Sequence, residues 1–219
     1  MKTDAQLKTD VTNELQWDPS INATNVGVAV KDGIVTLTGH LETYAEKFAI
    51  ERATQRVEGV KAVAVELDVK LAPSHQRSDT EIAQAAESAL KWHSVVPESR
   101  VQIKVERSWL TLSGELDWEH QRESAYKAVR ALTGVVGVSN LIMLKPQVTP
   151  GNIANRIREA LTRHAEREAK HIEVDIAGST VILRGRVDSW AERFAAQGAA
   201  WAAPGITSVL NKLTVGRPS

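Results

Sequence analysis

Three observations in this 219-residue sequence predict an α+β fold made of three tandem αββαβ repeats. Two glycines recur in fixed register, apolar spacing changes from helical to alternating in the same order three times, and the repeats align without an internal gap. Shifts of 75 and then 71 residues carry Gly39 to Gly114 and Gly185, and Gly59 to Gly134 and Gly205. They also carry Val28 to Ile103 and Val174, Leu37 to Leu112 and Leu183, Val63 to Val138 and Val209, and Leu67 to Ile142 and Leu213. The difference between the two shifts falls in the connectors, Lys70 to Arg77 and Lys145 to Val148, so the expected domains are 1–71, 76–146 and 148–217.

Each repeat opens with apolar residues at i, i+4 and i+8, which line one helical face: Leu7, Val11 and Leu15, then Ile82, Ala86 and Leu90, then Ile153, Ile157 and Leu161. Thr3 with Gln6 and Ser78 with Glu81 have capping-box spacing, and Thr149 before Pro150 supplies an N-cap with proline at the first helical position. Alternating runs follow, Val26-Val28-Val30 with Val35-Leu37, Val101-Ile103-Val105 with Leu110-Leu112, and Ile172-Val174-Ile176 with Val181-Leu183. A period of two means strands with one buried face. Asp32-Gly33 and Gly178-Ser179 suit tight hairpin turns of types I′ and II′, whereas Arg107-Ser108 predicts a looser hairpin.

A second helix follows, with capping boxes at Thr43 to Glu46 and Ser189 to Glu192, and is expected to stop at Gly59, Gly134 or Gly205. A last apolar strand closes each repeat. The final strand–helix–strand step should be a right-handed crossover that puts both helices on one face of a three-stranded mixed sheet. Both sets of glycines are read as fold residues. Gly59, Gly134 and Gly205 need positive φ, and Gly39, Gly114 and Gly185 permit a bulge or a close helix approach.

This element order, the strand glycine in Thr38-Gly39-His40, Ser113-Gly114-Glu115 and Arg184-Gly185-Arg186, and the Gly-Val or Gly-Ile sequence after the second helix together resemble the BON domain. The resemblance covers residues 3–70, 78–145 and 149–216. It implies a non-enzymatic module of bacterial envelope and osmotic-stress proteins, thought to contact phospholipid surfaces, with some cytoplasmic relatives linked to ion binding. Envelope members typically carry a signal peptide, and the potassium-linked type carries a second, peptidoglycan-binding-type module. Neither is seen in these residues.

The composition is that of an ordinary globular chain, with 42% apolar residues and 27 basic against 27 acidic side chains. The absence of cysteine excludes disulfides, thiolate nucleophiles and cysteine metal sites, and no apolar run reaches the length of a membrane span. With no signal visible after Met1, the expected location is the cytoplasm, or the periplasm if the chain begins at a mature terminus. A repeated active site would keep ionisable groups in register, yet His40 corresponds to Glu115 and Arg186, and His120 to Ala45 and Ala191. No catalytic residue, metal site or cofactor is expected. His164, Glu168 and His171 approach helical metal-ligand spacing, but Ile172 begins a strand, so solvated charge is the better reading. Gly134-Val135-Val136-Gly137 matches a nucleotide-clamping GXXG loop in letters only, since it is apolar and joins a helix to a strand. With zero net charge as well, no nucleic-acid partner is expected.

Charge is nonetheless graded. Residues 1–75 hold 8 basic and 11 acidic side chains, 76–147 hold 9 and 9, and 148–219 hold 10 and 7. Arg156, Arg163 and Arg167 share a side of one helix and Arg184 and Arg186 one face of a strand, making them candidates to bind an anion. Tyr44, Trp118 and Trp190 begin the three second helices, as core-edge packing or as an interfacial wedge. The expected function is a non-catalytic stress-response protein that binds an anionic phospholipid surface or a protein partner. The alternatives are a self-associating scaffold, in which opposite end charges favour homo-oligomers, and a potassium-type small-ion binder.

Overall fold

The computed structural model describes residues 2–146, 153–164 and 172–216, with the backbone alone for Ala154 and residues 161–164. The first repeat comprises α1 (Asp4–Trp17), β1 (Val26–Lys31), β2 (Ile34–Leu41), α2 (Tyr44–Arg56) and β3 (Ala62–Val69). The second comprises α3 (Asp79–Trp92), β4 (Val101–Glu106), β5 (Trp109–Leu116), α4 (Glu119–Arg130) and β6 (Gly137–Leu144). The third comprises α5 (Ile153–His164), β7 (Ile172–Ala177), β8 (Thr180–Val187), α6 (Trp190–Trp201) and β9 (Ser208–Val215). Each sheet is a three-stranded mixed one whose central strand runs antiparallel to the first and parallel to the last. The chain is therefore α+β in three repeated units. Residues 1–144, with two repeats, form one compact body, and residues 145–219 form another.

The helix starts follow the caps. Thr3 Oγ1 accepts the Gln6 N–H at 3.2 Å while Gln6 Oε1 accepts the Thr3 N–H at 2.9 Å, and the same reciprocal pair joins Ser78 to Glu81 and Thr43 to Glu46. Ser189 Oγ accepts from Glu192 N, whose carboxylate reaches the Asp188 N–H instead. Thr149 and Pro150 lie outside the described residues. Leu7, Val11, Leu15, Ile50 and Ala53 are buried with Val35, Leu37 and Leu67, so both helices of the first repeat cover one sheet face. The third repeat buries Ile153, Ile157, Ala196 and Ala200 against Val174, Val181 and Leu183 in the same way.

Asp32 and Gly33 have φ of 53° and 79°, as a type I′ turn requires, and Gly178 alone of its pair is positive at 61°. The Arg107-Ser108 hairpin is not looser. Both residues adopt left-handed φ, 50° and 63°, in an equally short turn. Asp79, at the first position of α3, offsets that strain, its two oxygens accepting from Arg107 N at 2.9 Å and Ser108 N at 2.8 Å. Asp4 makes the same clasp on Asp32 and Gly33.

The strand glycines also serve differently from the expectation. No bulge interrupts the pairing, whose antiparallel part ends at Gly39 and Gly114 while the parallel part runs on past them, and what approaches is the backbone just before β1 and β4 rather than a packing α-helix. A Cβ on Gly39 would collide with the Asn25 carbonyl oxygen, and one on Gly114 with that of Arg100, at φ near 122° and 129°. Gly59, Gly134 and Gly205 have positive φ as expected, but α2, α4 and α6 end three or four residues earlier, so these glycines shape the helix–strand turn rather than the cap.

The last strand of each repeat is an edge, and side chains tie it to the second helix. Lys47 Nζ donates to the Leu67 carbonyl at 2.9 Å, and Arg193 donates to those of Leu213 and Asn211. Asn140 and Asn211 accept from the Ile142 and Leu213 amides while donating to carbonyls of α4 and α6.

Two glycine substitutions should act with opposite sign. Gly114→Ala, forced against the Arg100 carbonyl at positive φ, is expected to lower stability by roughly 2 kcal/mol or more. Gly198→Ala, inside α6 with nothing within 4 Å of the added methyl, should raise it by about 0.5–1 kcal/mol. Urea denaturation of the two variants measures both.

Candidate functional site

Two tryptophans at the ends of first helices stand out by exposure. Trp17 closes α1 and is 86% exposed, and Trp92, its equivalent 75 residues on, closes α3 and is 89% exposed. Large aromatics are seldom this bare, because a Trp ring gains from burying its apolar body. Trp17 borders a shallow groove of about 370 Å³ shared with Lys2, Asp10, Asn13, Glu14, Val57 and Glu58. Its charges are tied locally, Lys2 to Asp10 at 2.7 Å, and Arg56 to Glu14 at 2.9 Å and Asp18 at 3.2 Å. Hydrogen bonds from Ser20, then from Arg56, hold the Asp18 carboxyl below the usual range. At the corresponding positions the second repeat carries Arg77, Ala85, Ser88, Ala89, Leu132 and Thr133, so a cation is kept where Lys2 stands while the acids Asp10, Glu14 and Glu58 have no acidic equivalent. The third repeat places Arg156 where the first has Asp10, and Arg163 where the others have tryptophan.

The five candidate arginines do not form one cluster among the described residues. Arg156 is exposed on α5, whose apolar side packs on the sheet. Arg184 and Arg186 point from β8 to the helix-free face, opposite the buried Val181 and Leu183. There Arg184 forms an ion pair with Asp175, and Arg186 Nε donates to the Gly216 carbonyl at 2.6 Å. The side chain of Arg163 and all of Arg167 lie outside the described residues, as do the side chain of His164 and all of Glu168 and His171.

The three aromatics that begin second helices have different surroundings. Trp118 stacks on His120, ring centroids 6.4 Å apart, and Trp190 packs on Phe194 at 5.9 Å with the Arg193 guanidinium 5.1 Å from its ring. Tyr44 instead joins two repeats. Its hydroxyl meets that of Tyr126 on α4 at 3.1 Å, and the Arg130 guanidinium lies 3.6 Å from the centre of the Phe48 ring. Burial, followed by the Tyr44 hydrogen bond, pushes the Tyr126 hydroxyl well above the ordinary phenol range. Desolvation also raises Glu51, against the attraction of Lys47.

A family model described as the BON domain matches residues 3–70, 78–146 and 150–217. The chain belongs to the BON domain family. Among curated proteins it is similar to Osmotically-inducible protein Y of Escherichia coli (strain K12), 26% identical over 144 residues, which cover 62% of this chain and 71% of the relative. Among solved structures it matches the C-terminal domain of CdsD, the structural protein of the type III secretion system of Chlamydia trachomatis. The identity is 15% and the TM-score 0.27, over 99% of this chain and 100% of the other. A second CdsD structure gives 18% and 0.25, over 96% and 92%.

Three features of these BON repeats escape a reading of each helix by itself. The 75-residue shift carries Trp17 to Trp92, a signal the sequence reading did not use, and both lie two positions past the last buried residue of their helix, off its apolar face. Tyr126 and Arg130 meet Tyr44 and Phe48 from another repeat, which no local pattern specifies. Outward-facing Leu141 and Met143, 63% and 67% exposed, continue the strand alternation but put apolar groups where the first repeat has Glu66 and Asp68.

Because burial raises the folded-state pKa of Glu51, folding is opposed by its charge at neutral pH. Glu51→Gln should therefore raise the melting temperature slightly at pH 7. The gain should fade as pH falls through the carboxylate range, where the native side chain is itself neutral; melting curves across that range measure it.

Proposed function

We propose that this BON protein is a non-catalytic stress-response protein that docks on a phospholipid surface through the ends of its first helices. The observation that carries this reading is the pair of nearly bare tryptophans, Trp17 and Trp92, at one position of two repeats. Indole suits the headgroup layer, where its ring meets acyl chains and its N–H meets polar groups. The replacement of the acids Asp10, Glu14 and Glu58 by Ala85, Ala89 and Thr133 lowers the cost of approach for Trp92, and Arg163, in register with the tryptophans, together with Arg156 brings guanidinium chemistry suited to phosphate. The stress-response part is supported by the similarity to Osmotically-inducible protein Y. The ionisable positions that differ between repeats support binding over catalysis.

Arg184 and Arg186 supply the competing site, an anion-binding sheet face on the third repeat, and opposite end charges supply self-association. Flotation with zwitterionic and anionic vesicles, at low and physiological salt, separates these. The expected result is flotation that Trp17→Ala with Trp92→Ala weakens by tenfold or more and that salt reduces only modestly. Binding confined to anionic vesicles, lost in Arg184→Glu with Arg186→Glu and kept by the tryptophan variant, would move the site to the third sheet. No flotation, with oligomers in light scattering, would favour the scaffold.

A further inference from the structure

We infer that the first two repeats form a two-footed body whose α2–α4 junction presents Trp17 and Trp92 to one lipid surface together; this rests on the lipid-docking reading above. Tyr44 meets Tyr126, and Phe48, one turn further along α2, meets Arg130, one turn further along α4. Contacts that advance in the same direction on both helices mean that α2 and α4 run the same way across the junction. Trp17 shares its groove with Val57 and Glu58, just past the end of α2. The repeat register sets Trp92 beside Leu132 and Thr133, just past the end of α4. The two tryptophans therefore lie at the same end of the body.

Tyr126 occupies the register of Glu51, seven residues beyond Tyr44, so the two ends are staggered by about 10 Å at 1.5 Å per residue. A plane touching both tryptophans is accordingly inclined to the helices. The junction can hold that geometry because its parts are half-buried against one another. Arg130 Nη1 is buried without a hydrogen-bond partner, its guanidinium lying between the Phe48 and Tyr126 rings at 3.6 and 5.7 Å. Once one tryptophan inserts, the second is confined near the same surface and inserts at high effective concentration. Tyr44, Phe48, Tyr126 and Arg130 are then positioning residues for lipid contact.

The chain has no cysteine, so Trp17→Cys with Trp92→Cys takes a nitroxide at each foot with no background. Pulsed dipolar spectroscopy should give one narrow distance, broadened when Phe48→Ala and Arg130→Ala are added. In flotation with zwitterionic vesicles, either single Trp→Ala variant should lose most of the affinity that the double variant loses. The junction variant, its helical circular dichroism unchanged, should lose about tenfold with both tryptophans present. A broad distance in the otherwise unchanged chain, single-tryptophan losses that simply multiply, or a junction variant that binds like the parent would overturn the inference while leaving lipid docking intact. Failure of the parent to float removes both readings.

Discussion

Every repeat is governed by the parallel pairing of its central and last strands. Parallel neighbours cannot be joined by a tight turn, so the chain must leave the sheet and return over one face, and the second helix is that return. Its position fixes where the first helix lies, because both must cover the same apolar face formed by residues such as Val35, Leu37 and Leu67. The hairpin between the first two strands is then held from the side by the first helix, through Asp4 or Asp79. What remains outward is the outer sides and ends of the helices and the helix-free sheet face.

Those outward places are where the repeats diverge. At one position of the first helix they carry Trp17, Trp92 and Arg163, and about two turns earlier Asp10, Ala85 and Arg156. On the last strand they carry Glu66, Leu141 and Lys212, all facing away from the helices. The interior positions barely change in character, because a core of this size tolerates little alteration in volume or polarity. At these positions a common frame has thus been given acidic, apolar and basic side chains in turn, and a functional account of the chain has to explain the differences rather than the likeness.

The fold was legible because its determinants are local: capping boxes, alternation and recurring glycines each act within a few residues. Arg107-Ser108 misleads for the opposite reason, since the carboxylate that stabilises the turn lies 28 residues earlier, in Asp79. The role of Gly39 and Gly114 was half visible, as positive φ is a property of glycine, but the neighbour that demands it is the carbonyl of Asn25 or Arg100, in the turn just before the partner strand. The candidate site was less legible. Arginine content suggested the third repeat, while Arg184 turns out to face an acid, Asp175, across the hairpin. Trp17 and Trp92 could be aligned by register, but their bareness depends on what every other element leaves uncovered.

The fastening of the edge strands by Lys47, Arg193, Asn140 and Asn211 matters beyond each sheet. A ribosome delivers three near-copies of one topology in succession, and a last strand with open amides and carbonyls would be an acceptable partner for a neighbour's sheet. Side chains of the same repeat, from the second helix or from the strand itself, engage those groups and so favour pairing within each copy. Fidelity in a tandem protein then depends on keeping near-identical parts from being exchanged, and a few polar side chains that bind each edge to its own helix serve that end.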